Sequence, residues 1–334
     1  MTLLMLEGCE GTTTINDLLQ RGWSALSVSG GSIQAGAARS GARGIASGTT
    51  TLTWTAETAD RHARMAIGAA FQRTASASFT LQLRDTANTV VAQVSVTNTA
   101  TVTVTVLGTL RATVSYAAAG VVDLAWNYLE FECFANASTG TVRVQVNGVA
   151  IAGLNWDGNT GSNLLASAIV TANGYWIDDI YILNGAGSAP WNAMLGDVAV
   201  VPIYPNGAGT STQFTASGAA TNWQAVSETD RSTSQIVSSS TVGHRDLYAL
   251  GDLPANAATV LGLRVLGYWS KSDAGARTGA LPVRSGGTTN SGAAYGLPTS
   301  YGYNLRLLPV NPVTGVQWTV SEVNALEAGV EVVS

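Results

Sequence analysis

The chain has 334 residues, a formal net charge of −5 and a single lysine, Lys271. Charged residues make up 11% of it, against roughly 25% in an average soluble domain, so Ser, Thr, Asn, Gln and Gly must cover the surface. No basic run offers a phosphate track for nucleic acid, no apolar window is long enough for a membrane helix, and the two cysteines, Cys9 and Cys133, make neither a disulfide framework nor a zinc set.

The opening residues MTLLMLE lack a basic leader, and Glu7 interrupts their apolar run, so they read as a first strand rather than a signal peptide. Thr14 to Gly22 follows as a short helix: Thr14 caps it, Ile15, Leu18 and Leu19 form its apolar stripe, and Gly22 ends it. From Trp23 onward the pattern is β. Arg64–Gln72, Ser78–Arg84, Val90–Thr97, Thr101–Leu107 and Leu110–Tyr116 are Val-, Thr- and aromatic-rich segments between polar turns. Tyr128 to Asn147 then alternates strictly. Leu129, Phe131 and Cys133 take one face, Glu130, Glu132 and Phe134 the other, and after a polar turn Val142, Val144 and Val146 oppose Arg143, Gln145 and Asn147. Asn147-Gly148 marks a second tight turn. Cys133 falls on the apolar side as a small core residue; a Cys9–Cys133 bridge stays open, subject to strand pairing.

Asn184 to Pro190 is Gly- and Ala-rich and closes on proline, which places a domain boundary there. Beyond it, Leu195–Val200 starts a new strand that ends in Tyr204-Pro205-Asn206-Gly207, and Arg245–Leu250, Thr259–Trp269, Gly279–Arg284 and Tyr301–Leu308 read as later ones. Thr319 and Glu322 make a capping box. The helix it starts carries Val323, Leu326 and Val330 on one side and stops at Gly329, before a last strand over Glu331–Val333.

Glu130 to Asn147-Gly148, with Ile177-Asp178-Asp179-Ile180-Tyr181 as a closing strand, resembles the laminin-G-like branch of the concanavalin A-like jelly rolls. The tail Trp318 to Val330, together with Leu195-Gly196-Asp197-Val198, is similar to structural proteins of tailed bacteriophages. The expected fold is all-β: a concanavalin A-like jelly-roll sandwich over 1–190, then a second, smaller β-sandwich over 191–334 with a short C-terminal helix.

Each candidate site has a plainer reading beside it. Glu130 and Glu132 share a strand face, as glycosidase carboxylates do. The third acid of the superfamily's E-x-D-x-x-E pattern is missing, however, and Arg143 opposite suggests a solvated ion pair. Asp178 and Asp179, adjacent and so on opposite strand faces, could join Asp157 at a calcium-binding rim, which the laminin-G resemblance implies; the plainer role is fixing turn amides. No other cofactor is expected. Trp156, Tyr295, Tyr301 and Tyr303 are the aromatics best placed for a glycan or a protein partner. His62 and His244 match no catalytic or zinc pattern. The resulting expectation is a non-enzymatic protein of a virion exterior, made in the host cytoplasm and present in many copies or as a homo-oligomer. It would dock on capsid or tail proteins, with a host-surface glycan as the alternative ligand and no nucleic acid or membrane partner.

Overall fold

The computed structural model describes residues 2–46 and 48–334 and divides into two compact units, Met1–Val200 and Val201–Ser334. In the first unit two long strands, Arg64–Asp85 and Leu165–Asn184, run antiparallel along almost their whole length, from Leu165 opposite Asp85 to Asn184 opposite Met65. The sequence suggested two strands at 64–72 and 78–84; the chain continues through the residues between them as one. Register shifts bend the pair: at 165/167 and 178/181 the partner strand carries the extra residue, and opposite 173/175 the extra residues fall on the 64–85 strand between Arg73 and Ser78, each irregularity kinking the strand that carries it.

The bent pair belongs to two layers. In one layer its 78–85 and 165–173 ends are flanked by Val90–Val96, Thr101–Val106 and Thr109–Ser115 on one side, and by Thr49–Thr55 and Ala25–Ser29 on the other. In the other layer its 64–72 and 176–184 ends are flanked by Trp126–Phe134 and Gly140–Val146, and by Thr2–Glu7 and Gly44–Ala46. Between the layers lies one core, in which Val102, Val104 and Val106 meet Leu129, Phe131, Cys133, Val142, Val144 and Val146. Thr101, Thr103 and Thr105 point outward from the same strand, so a period of two in the sequence becomes one wet and one dry face. Phe71, Phe79 and Tyr175 fill the bend, with the two Phe rings stacked at 4.9 Å. Asn147 and Gly148, both at positive φ, make the tight turn expected of them, and Asn147 accepts the Tyr128 amide at 2.8 Å. Cys9 and Cys133 are free, buried thiols.

The early helix forms as a 3-10 turn, Ile15–Arg21. Thr14 precedes it, the Asp17 carboxylate accepts the Thr14 amide, and Gly22 at φ 100 closes it. Leu195–Val200 is not a strand. Its backbone groups hydrogen-bond to side chains of the first sandwich, as described below, and so are not available to a ladder.

In the second unit, Arg245–Leu250 lies between Pro205–Thr212 and Glu327–Val332. The antiparallel pair Leu263–Trp269 and Gly302–Leu308 packs against this sheet through Leu263, Val265 and Leu308, which meet Val283, Val323, Leu326 and Ala328. The expected strand 279–284 is interrupted: Thr278–Ala280 and Val283–Ser285 both pair with Glu327–Val332 in one register, and Pro282 at the break has no N–H to give. The capping box holds, with Glu322 accepting the Thr319 amide at 2.8 Å. The helix is only Val320–Asn324, however, and the last strand begins at Glu327. Gly329 is therefore not a helix stop. It lies in that strand, where a Cβ would collide with the Asp246 carbonyl of the neighbouring strand.

Candidate functional site

Of the acidic residues singled out in the sequence, Glu130, Glu132, Asp178 and Asp179 lie in the second layer of the first unit. Along one row of that sheet, Glu130 lies opposite Gly68 and Gly68 opposite Tyr181. Gly68 leaves the row open, so the Tyr181 phenol crosses it and donates to Glu130 Oε1. Tyr128 stacks beside Tyr181, ring centroids 6.4 Å apart. Glu130 Oε1 also accepts the Gly196 amide at 2.9 Å. Its Oε2 is buried without a partner, and burial pushes the carboxyl up to about 7 against those two donors.

Glu130 and Glu132 are thus not solvated. Both are buried: the 195–200 segment covers Glu130 through the Gly196 amide, and Arg64 lies against Glu132, on a face that alternation alone would leave to water. Glu132 pairs with Arg64 at 2.5 Å, and the Arg64 guanidinium lies 5.2 Å over the Phe134 ring. Arg143, directly opposite Glu132, instead turns to Asp157 at 2.5 Å.

Asp178 and Asp179 do not diverge. A bulge separates Asp178 from Tyr181 in the ladder, and Asp179 takes a left-handed φ of 52. Both carboxylates therefore reach the same pair of residues, Arg39 and Ser40. Asp178 Oδ2 accepts the Arg39 and Ser40 amides at 2.8 and 3.1 Å, and its Oδ1 accepts the Asp179 amide. Asp179 accepts the Ser40 hydroxyl, Arg39 Nη1 at 3.0 Å and the Val200 amide at 2.7 Å. Burial, with the neighbouring carboxylate, raises the Asp178 carboxyl, and the amide donors oppose this. Arg39 further donates to Asp197 and to the Val198 carbonyl. Nearby, Glu10 accepts the Ala42 and Arg43 amides at 2.6 and 2.8 Å. The arrangement ties two irregular segments to a sheet.

Asp157 lies on a separate short strand, Trp156–Gly158, with its side chain 71% exposed. The three calcium candidates thus do not form one set, and among the described residues no three His, Cys, Asp or Glu side chains converge as metal ligands.

The aromatic candidates lie in both units. In the first, half-buried Trp156 packs on the core and carries the Arg111 guanidinium 5.1 Å over its ring. In the second, Tyr303 is buried beside Tyr268 at 4.8 Å, and Tyr301 stacks on Tyr268 at 5.2 Å. Tyr295 donates to the Leu305 carbonyl at 2.9 Å.

Sequence reading passed over a recess of about 270 Å³ in the second unit, lined by Ala208, Thr212, Thr221, Asn222, Trp223 and Tyr248. A signal was present: Asp246 and Tyr248 share a strand face at i and i+2, which puts an acid and a phenol side by side. No local pattern announced the turn Asn222–Ala225 that completes the recess.

No family model matches this chain, and no curated protein matches it in sequence. Among solved structures, a sialidase overlaps 54% of the chain at 6% identity and a TM-score of 0.40, and the chain spans 18% of that protein. A galectin from Caenorhabditis elegans overlaps 39% of the chain and 88% of its own length, at 15% identity and a TM-score of 0.30. A homodimeric agglutinin from chicken liver overlaps 40% of the chain and 98% of its own, at 11% identity and a TM-score of 0.28. Likeness this shallow carries no argument about activity, which must rest on the geometry above.

Proposed function

We propose that the protein is a non-enzymatic contact module of a virion exterior, acting by docking on other particle proteins. One observation carries the non-catalytic part. Glu130, Asp178 and Asp179 are fully buried and hold the protein's own backbone and side chains. A glycoside hydrolase needs two carboxyls facing one cleft, about 5 to 9.5 Å apart. The acids most suited to that role here are instead structural ties. The virion part is supported by the Lys-poor, Ser- and Thr-rich composition and by the C-terminal likeness to tailed-phage structural proteins. Purified particles test it. The protein should remain with them through density-gradient separation, at a stoichiometry near that of the major shell protein for a decoration role and far below it for a collar or fibre. Loss from the particles at low salt and high salt alike would refute it.

A second reading, glycan binding, is favoured by the half-buried Trp223 at the recess. Multivalent display would convert a weak single-site contact into firm adhesion. A glycan array probed with the whole chain tests this reading independently of particle association.

A further inference from the structure

The recess at Trp223 is built by one buried acid. Strand Pro205–Thr212 pairs with Arg245–Leu250, placing Ala208 opposite Tyr248 and Thr212 opposite Asp246. Asp246 is fully buried. One of its oxygens accepts the Gln213 and Phe214 amides at 2.6 and 2.8 Å. The other accepts Asn222 Nδ2 at 2.6 Å and the Tyr248 hydroxyl at 3.0 Å. Asp246 therefore fixes the chain reversal after the strand, the start of the Asn222–Ala225 turn and the Tyr248 ring together. Burial and the adjacent Asp246 keep the Tyr248 phenol protonated.

The same bonds determine what the recess can offer a ligand. Both Asn222 amide hydrogens are engaged, the second by the Phe214 carbonyl at 2.8 Å, which leaves Asn222 Oδ1 as an oriented acceptor. The Trp223 indole N–H has no protein partner among the described residues, and Trp223 is half-buried. Thr212 and Thr221 stand exposed on the rim. None of the residues lining the recess carries a formal charge, and the one acid behind them has its oxygens filled by four donors.

We propose that this recess is a subsite for one ring of a neutral saccharide, with Trp223 as the platform; the proposal rests on the glycan-binding reading and gives it a location. An uncharged lining has no counter-ion for a phosphate, a sulfate or an ammonium group. The lining is mostly apolar, and a pyranose presents a C–H face that an indole covers by stacking. Its hydroxyls are donors and acceptors at once, which suits an isolated acceptor (Asn222 Oδ1), an isolated donor (Trp223 Nε1) and threonine hydroxyls around them. Ligand clefts commonly begin near roughly 300 Å³, so about 270 Å³ admits a single ring or a chain end rather than a long oligosaccharide. A purely apolar occupant would leave the indole N–H and the amide carbonyl unpaired.

The test is titration of the full chain with cello-, chito- and galacto-oligosaccharides, read by calorimetry and by tryptophan fluorescence. At least one neutral series is expected to bind. Trp223→Ala should weaken it by about tenfold or more, Trp223→Phe by less, and Leu110→Ala, at an exposed position of the first unit, not at all. Thr212→Arg, at an exposed rim position, should block binding by filling the recess and guards against misfolding of the Trp223 variants. Saccharide binding that survives both Trp223→Ala and Thr212→Arg would overturn this location while leaving the glycan reading intact. Binding of none of the three series, or of acidic glycans alone on an array, would overturn the proposal, and silence across the whole array would remove the glycan reading with it.

Discussion

Glu130 shows how one side chain can make stability depend on pH. An exposed glutamate titrates near 4.3, whereas burial raises Glu130 to about 7. The folded state therefore holds the proton more tightly than the unfolded one, so its contribution is complete below about pH 4.3 and is lost as pH rises through 7. The gap corresponds to about 4 kcal/mol. Glu130→Gln keeps an oxygen for Tyr181 and Gly196 and has no charge to bury. Its melting temperature should fall less steeply between pH 5 and pH 8 than that of the wild type, as differential scanning calorimetry would show, the remaining slope coming from the other buried acids whose carboxyls are raised; parallel curves would contradict the assignment. At the same scale, Asp178 and Asp179 already accept hydrogen bonds from the protein on every oxygen. Calcium or a chelator should leave the melting temperature unchanged, and a rise of several degrees with calcium would show that these carboxylates can be recruited.

Among elements, the closing strand Leu165–Asn184 and the segments it anchors depend on each other. Its bulge points Asp178 and Asp179 at Arg39 and Ser40, and Arg39 in turn reaches Asp197 and Val198. Arg39→Ala leaves the buried Asp179 carboxylate without its cation. Breaking one side of a buried pair costs about 3 kcal/mol or more, so the urea midpoint should fall and thermolysin should cut within 195–200, where the wild type resists. Gly68 serves the same face. A Cβ there would overlap the Tyr181 ring and lie 2.9 Å from the Tyr128 ring. Gly68→Ala should destabilise by about 1–3 kcal/mol through overpacking and, by displacing the Tyr181 hydroxyl, flatten or shift the Glu130 pH dependence. A neutral effect on both would mean that the tyrosine pair can shift aside.

For the whole molecule, each unit has its own hydrophobic core, so calorimetry of the full chain should resolve more than one transition. The end point of the first unit makes a sharper prediction. The Val200 amide caps Asp179 and the Gly196 amide caps Glu130. A fragment 1–200 should fold as a β-protein, whereas 1–190, which ends where the flexible Gly- and Ala-rich stretch suggested a boundary, should melt several degrees lower. Equal melting temperatures would show that the 195–200 segment adds nothing.

Alternation, turn chemistry and capping were legible along the chain because each is settled by neighbours a few residues apart. They determined the all-β class, the apolar faces of Trp126–Phe134 and Gly140–Val146, the Asn147-Gly148 turn and the capping box at Thr319. Only tertiary structure decided what covers the opposite faces. Strand periodicity fixes which residues share a face but not whether a loop more than 60 residues away in sequence lies over it, as Gly196 does over Glu130. For that reason Glu130 and Glu132 read as solvated and are buried, and Asp178 and Asp179 read as divergent and converge through a bulge. Trp223 likewise looked unremarkable until Asp246 drew its turn against Tyr248. A contact's free energy depends on distance in space, and a one-dimensional pattern does not contain that distance.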